Sequence, residues 1–207
     1  MGNYLIFNIG GSIMSNKEIR AKARADLGGN IFDGKWMMAL LAALVISLIV
    51  GVCAAIPVAG SVGVFIIGGP LMLGLTGYFL RLSRNQDTKI EDVFDSFSEH
   101  FLQSFLLYLM TGIFTFLWSL LFVIPGIVKS YAYSMAFYVK RDNPTYDWKQ
   151  CLDESQRIMR GYKWKLFCLQ LSFIGWAIVC VFTFGIGTLW LTPYMNAATA
   201  NFYESIK

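Results

Sequence analysis

The stretch WSLLFVIPGIVKSYAYSM, Trp118–Met135, decides how the chain is read. With its flanks it forms an apolar run of some forty residues, Phe101 to Lys140, about twice the 20 residues that a membrane-spanning helix needs. Pro125-Gly126 divides the run, and Pro-Gly is a strong turn signal. Two spans joined by a tight turn are therefore expected, with Lys129 just beyond the turn. The run from Trp164 to Tyr203 has the same form and is divided by FGIG, Phe184–Gly187. Trp36–Pro57 and Val62–Leu82 make a third pair, the second run carrying GGP at Gly68–Pro70. The spans read as 36–57, 62–82, 101–124, 126–140, 164–183 and 187–203. The expected fold class is an all-α integral membrane protein with six transmembrane helices arranged as three hairpins.

Composition points the same way. Of 207 residues, 56% are hydrophobic and 14% charged, against roughly a quarter charged in soluble domains. The mean hydropathy is +0.54. The opening MGNYLIFNIGGSI has no basic segment before it and no convincing cleavage site, so it does not read as a signal peptide. Met-Gly-Asn begins like a myristoylation signal, but Ile6 stands where Ser or Thr is wanted. Met14 precedes SNKEIRAKARADL, a more typical cytoplasmic opening. Residues 1–13 are read as an N-terminal extension and 14–207 as a single membrane domain.

The net charge of +4 matters less than where the charges lie. Sixteen of the seventeen Lys and Arg residues fall before the first span, between the hairpins or at the inner ends of the spans beside them, or at the end of the chain. The three expected turns carry none. By the rule that basic loops stay inside, both termini are expected in the cytoplasm of a cell-membrane protein. Lys129 is the exception. It lies about 5 Å past the Pro-Gly turn at 1.5 Å per residue, within snorkelling reach of the outer interface. A second reading makes it a bundle-facing cation that holds an anion, with Tyr131 and Tyr133 as its polar neighbours, because ionisable groups inside membranes are functional candidates.

Three segments between the expected spans have apolar residues at helical spacing with charges between them. They are Asn16–Asn30, with Ile19, Ala23 and Leu27, and YDWKQCLDESQRIMRGYKW, with Trp148, Cys151, Leu152, Ser155, Ile158 and Met159. The third is TKIEDVFDSFSEHFLQSF, with Ile90, Val93, Phe94, Phe97, Phe101 and Phe105. Each is expected to be a cytoplasmic amphipathic helix that lies in the interface or packs under the bundle. The returning spans end alike, as GYFLRLSRN, AFYVKRDN and NFYESIK, which suggests three copies of one unit.

Chemistry is sparse. The single histidine, His100, reads as structural, and no metalloprotease, P-loop or nucleophile-elbow motif is present. Cys53, Cys151, Cys168 and Cys180 suggest neither a disulfide framework nor a metal site. No cofactor, metal or catalytic residue is expected. The glycines of GGPLMLGLTG fit close helix packing, and Gln170 and Asn196 are candidates for interhelical hydrogen bonds. Basic residues interleaved with acids against a membrane argue against nucleic acid as a partner.

WSLLFVIPGIVKSYAYSM and GYKWKLFCLQLSFIGWAIVCVFTFGIGTLWLTPYM, together with GPLMLG and the NFYE ending, resemble an uncharacterised multi-pass membrane family of Gram-positive bacteria, domain of unknown function 975. The resemblance covers most of the chain from Met14 onward. Its pattern includes a lysine after the Pro-Gly turn, matched by Lys129. The family is distantly similar to the membrane domain of some glycerophosphodiester phosphodiesterases, whose catalytic domain this chain lacks. The expected function is a non-enzymatic membrane component that contacts lipids, and proteins through its cytoplasmic helices. The alternative is a transporter or channel for a small anion or amphiphile, with Lys129 at an outer vestibule.

Overall fold

A computed structural model describes residues 14–29, 34–54, 59–97, 101–183, 185 and 187–207. The extension 1–13, His100 and the first turn around Pro57 lie outside the described residues, as do Phe184 and Ile186 of the third turn. The described residues form helices and no strands. In chain order the helices are α1 Asn16–Asp26, α2 Gly34–Ala54, α3 Ala59–Ser83, α4 Phe101–Leu121 and α5 Val123–Tyr133. There follow α6 Ala136–Asp142, α7 Trp148–Ile158, α8 Lys163–Leu171, α9 Ile174–Phe182 and α10 Thr188–Ile206.

Four stretches are long and apolar enough to cross a membrane: Gly34–Cys53, Val62–Ser83, Phe101–Leu121 and Lys163–Phe182. The last runs through α8 and α9, which are joined by a tightened turn at Ser172-Phe173. The exposed surface explains why such a chain belongs in lipid. Apart from Ser119, every residue from Phe116 to Ile124 is an exposed large apolar side chain. At roughly 1.5–3 kcal/mol for each, leaving these eight in water forgoes about 12–24 kcal/mol. That is as large as the whole stability of an ordinary domain, about 5–15 kcal/mol. The chain is a membrane protein.

The turn at the end of α4 is not where the Pro-Gly signal places it. The helical path breaks at Phe122, whose backbone is extended (φ −157°, ψ 141°), and α5 already starts at Val123. Pro125 sits in the first turn of α5, where its missing N–H would have had no helical partner. Gly126 serves packing instead. A Cβ there would lie 2.7 Å from the Ser119 Cα, so glycine lets α5 close tightly onto α4. The expected span 126–140 is also not one helix. Ser134 and Met135 separate α5 from α6, and α5 by itself is only about 16 Å long.

Two of the three inter-hairpin helices form. Ser15 and Glu18 make a capping box at the start of α1, and Asp147 and Gln150 make one at the start of α7. Ile19, Ala23 and Leu27 are buried, as are Cys151, Leu152, Ser155 and Ile158. The middle segment departs from the expected α-helix. It forms two short 3-10 turns, Ile90–Val93 and Asp95–Phe97, and Phe94 is exposed. Its acids compete with helix hydrogen bonding. The Lys89 N–H donates to Asp92 (2.9 Å), and Arg81 of α3 pairs with both Asp92 (2.6 Å) and Asp95 (3.2 Å).

Around these pieces the core gathers on the C-terminal halves of α3 and α10 and on α6. Tyr78, Phe79, Leu80, Val139, Ala200 and Phe202 are all buried there. Gly69 and Gly74 set the spacing. A Cβ on Gly69 would stand 2.5 Å from the Ser104 carbonyl of α4, and one on Gly74 would overlap the Val93 carbonyl. The three similar return endings meet: the Tyr138 and Tyr203 rings stack at 5.2 Å. Arg84 binds Asp142 (2.6 Å) and Glu204 (2.8 Å), tying the ends of α3, α6 and α10 together.

Candidate functional site

The lysine of the opening motif is seven residues beyond the real break at Phe122, about 10 Å along α5. Its ammonium points toward α7 and donates to Gln156 Oε1 at 2.9 Å. It also stands over two aromatic faces, Trp118 at 5.0 Å and Tyr133 at 5.8 Å from the ring centroids. Ser155, next to Gln156, donates to the Ala132 carbonyl (2.8 Å), so two side chains of α7 fasten α5. Lys129 and Tyr133 are thus brought together. Tyr131 is not part of this group: its hydroxyl donates to Gln170 Oε1 of α8 at 2.7 Å. Asn196 is half-buried and makes no side-chain hydrogen bond among the described residues.

A polar pair that sequence reasoning missed lies elsewhere. Asn201 of α10 donates to Asp26 Oδ2 of α1 at 2.7 Å, and both residues are buried. Burial pushes the Asp26 carboxyl above the ordinary aspartate range, against the Asn201 hydrogen bond and the nearby Lys22 and Lys35. Asp92 goes the other way: burial opposes ionisation, but the Lys89 N–H and the Arg81 guanidinium hold its carboxyl below the usual range. A second missed residue is Lys140. Buried at the end of α6, it donates to Gln103 and to the carbonyls of Pro144 (2.8 Å) and Tyr146 (2.7 Å), which fixes the loop before α7.

One concave feature is a cavity of about 830 Å³ between the C-terminal end of α1, the start of α2, α9 and α10. Its walls include Trp36, Trp176, Val179, Trp190 and Tyr194, and Arg24 is the cation among its described lining residues. The Arg24 guanidinium lies 5.7 Å from the Tyr194 ring centroid and donates weakly to the Tyr194 hydroxyl (3.4 Å). Thr183 and Gly187 line the cavity about 10 Å further along α10 from Tyr194. Trp176 and Val179 are 59% and 53% exposed, so the cavity opens onto the apolar outer surface of α9. A volume of this size falls within the range of small-molecule sites, about 300–1,000 Å³.

The described residues assemble no nucleophile–base pair here and hold no cluster of three His, Cys, Asp or Glu side chains fit for a metal. The four cysteines are free thiols. Burial pushes the Cys151 thiol up to about 11, away from reactivity. Little in the sequence singles out Arg24 or Tyr194, because each is an ordinary residue of its own helix and the cavity exists only once α1, α9 and α10 meet.

Comparison with known proteins adds one finding. The family described as Protein of unknown function (DUF975) matches residues 14–129 and again 120–207. No curated protein and no solved structure matches the chain.

Proposed function

The chain belongs to the DUF975 family, and from that premise we propose that it is a non-enzymatic multi-pass protein of the cell membrane that works by holding membrane lipid in its helical bundle. In this reading six legs form three hairpins, the two later return legs being α5–α6 and α10. Both termini and the charged helices α1 and α7 lie on the cytoplasmic side, where α7 offers a charged outer face to protein partners. The carrying observation is the position of the cavity. It joins the exposed apolar surface of α9 to a cation on a charged helix, the polarity profile of a lipid at an interface.

The transport alternative placed its ligand at Lys129. That ammonium already has a neutral acceptor and two aromatic faces, and the cavity is lined by other residues.

Cysteine labelling tests the arrangement. In a background with the four native cysteines replaced by Ala, single cysteines are introduced by Asp87→Cys, Thr145→Cys and Lys207→Cys. All three should react with a membrane-impermeant maleimide only when the cytoplasmic face is exposed. Labelling of any one from the opposite face would overturn the six-leg topology.

A further inference from the structure

From the cavity between α1, α2, α9 and α10 we infer that this chain carries a specific site for an anionic phospholipid, its head-group phosphate on Arg24 and one acyl chain between Trp36, Trp176 and Trp190. The inference rests on the lipid-holding reading above and names the lipid class. Three observations carry it. First, Arg24 has no carboxylate partner among the described residues; its neighbours are the ring and hydroxyl of Tyr194. A guanidinium with unspent donors, planar and weakly hydrated, suits a phosphate better than any other common partner. Second, among the described residues that line the cavity none is an acid, and Arg24 is the charged one. Third, the cavity is polar at one end and apolar along its walls. The apolar part runs about 10 Å from the level of Tyr194 toward Gly187, and its rim lies on the exposed face of α9.

An acyl chain needs an entrance among apolar side chains. The exposed lining residues are Arg24, Gly29 and Thr183 together with Trp176 and Val179, and the last two continue onto the exposed apolar face of α9. The acyl chain of the proposed phospholipid enters along that face of α9, sideways from the leaflet, with its head remaining at the level of α1.

Tryptophan quenching tests this on the full chain in nanodiscs. The base lipid is phosphatidylcholine, and acyl-brominated phosphatidylglycerol or acyl-brominated phosphatidylcholine is added at equal mole fraction. Bromine quenches a tryptophan it touches, and three of the six tryptophans line the cavity. A basic residue near an anionic leaflet is worth about 1 kcal/mol, so phosphatidylglycerol should be favoured at the site about fivefold. Trp190→Phe should shrink the excess quenching. Arg24→Gln should abolish the preference, and Arg24→Lys should keep most of it, which separates loss of charge from loss of fold.

Equal quenching by the two brominated lipids in the unaltered protein would overturn the inference, as would a preference that survives Arg24→Gln. Arg24-dependent quenching by a brominated fatty acid with none favouring phosphatidylglycerol would overturn the phospholipid assignment. In each of those cases general quenching by both bilayers would leave the membrane reading standing. Absence of any quenching would remove that reading too.

Discussion

Replacing Lys129 by Met tests the physical account of the lysine inside the apolar run. The ammonium donates one 2.9 Å hydrogen bond to Gln156 and lies over Trp118 and Tyr133. A hydrogen bond to a charged group is worth roughly 1.5–3 kcal/mol, and a cation over aromatic faces about 0.5–2 kcal/mol. Against this stands the cost of holding a half-buried charge, and interhelical polar pairs in membranes average only about 0.6 kcal/mol. The net loss on Lys129→Met is expected near 2 kcal/mol. For a chain of this size that lowers Tm by about 4–8 °C, at 2–4 °C per kcal/mol. The decisive quantity is the coupling between Lys129→Met and Gln156→Leu, measured as a double-mutant cycle by thermal unfolding in nanodiscs. A coupling of about 1 kcal/mol is expected, so the double variant should be less damaged than the two singles added together. Strict additivity, or a Lys129→Met protein as stable as the original, would show that α7 does not hold the ammonium. The lysine would then be a free interfacial anchor.

The remaining predictions concern close packing and protonation. Gly74→Ala should cost about 1–3 kcal/mol through overpacking against the Val93 carbonyl. Gly112→Ala, which meets open space on α4, should gain about 0.5–1 kcal/mol of helix propensity; melting the two side by side checks both signs. The raised Asp26 pKa means that the folded protein holds this proton more tightly than the unfolded chain does. Its contribution to stability is therefore present below the ordinary aspartate range and is lost as the pH rises through the folded pKa. Asp26→Asn cannot ionise, so its Tm relative to the unaltered protein should rise by a few degrees between pH 4 and pH 7. A difference that does not change with pH would refute the assignment.

Hydropathy alone makes the apolar runs legible, and the capping boxes Ser15–Glu18 and Asp147–Gln150 make α1 and α7 legible. The glycines of α3 were also readable as contact points, because a run of small residues beside Pro70 has few other uses. Pro125-Gly126 looks like the turn, yet proline is equally content in a first helical turn, so the break moved three residues upstream to Phe122. Periodicity over Ile90–Phe105 looked helical, but it counts apolar residues only and ignores acids that can bind Lys89 and Arg81 instead. The cavity was illegible for a different reason: its walls come from four helices spread over some 170 residues, and no local pattern records that Arg24 meets Tyr194.

Lys129 and Arg24 show why position in sequence is a poor guide to a ligand site. Lys129 is conspicuous because it interrupts an apolar run, and Arg24 is inconspicuous because it sits in a basic helix. What separates them is how far their donors are already used. Lys129 has a well-placed acceptor and two aromatic faces, so an arriving anion would have to displace bonds that already hold α5 to α7. Arg24 has a weak hydroxyl contact and an adjoining cavity, so an anion there adds bonds and displaces little. Binding energy comes from the difference between bonds made and bonds given up. On that criterion the ligand belongs at Arg24, and Lys129 serves as the fastener that keeps the α4–α5 tip and α7 in register.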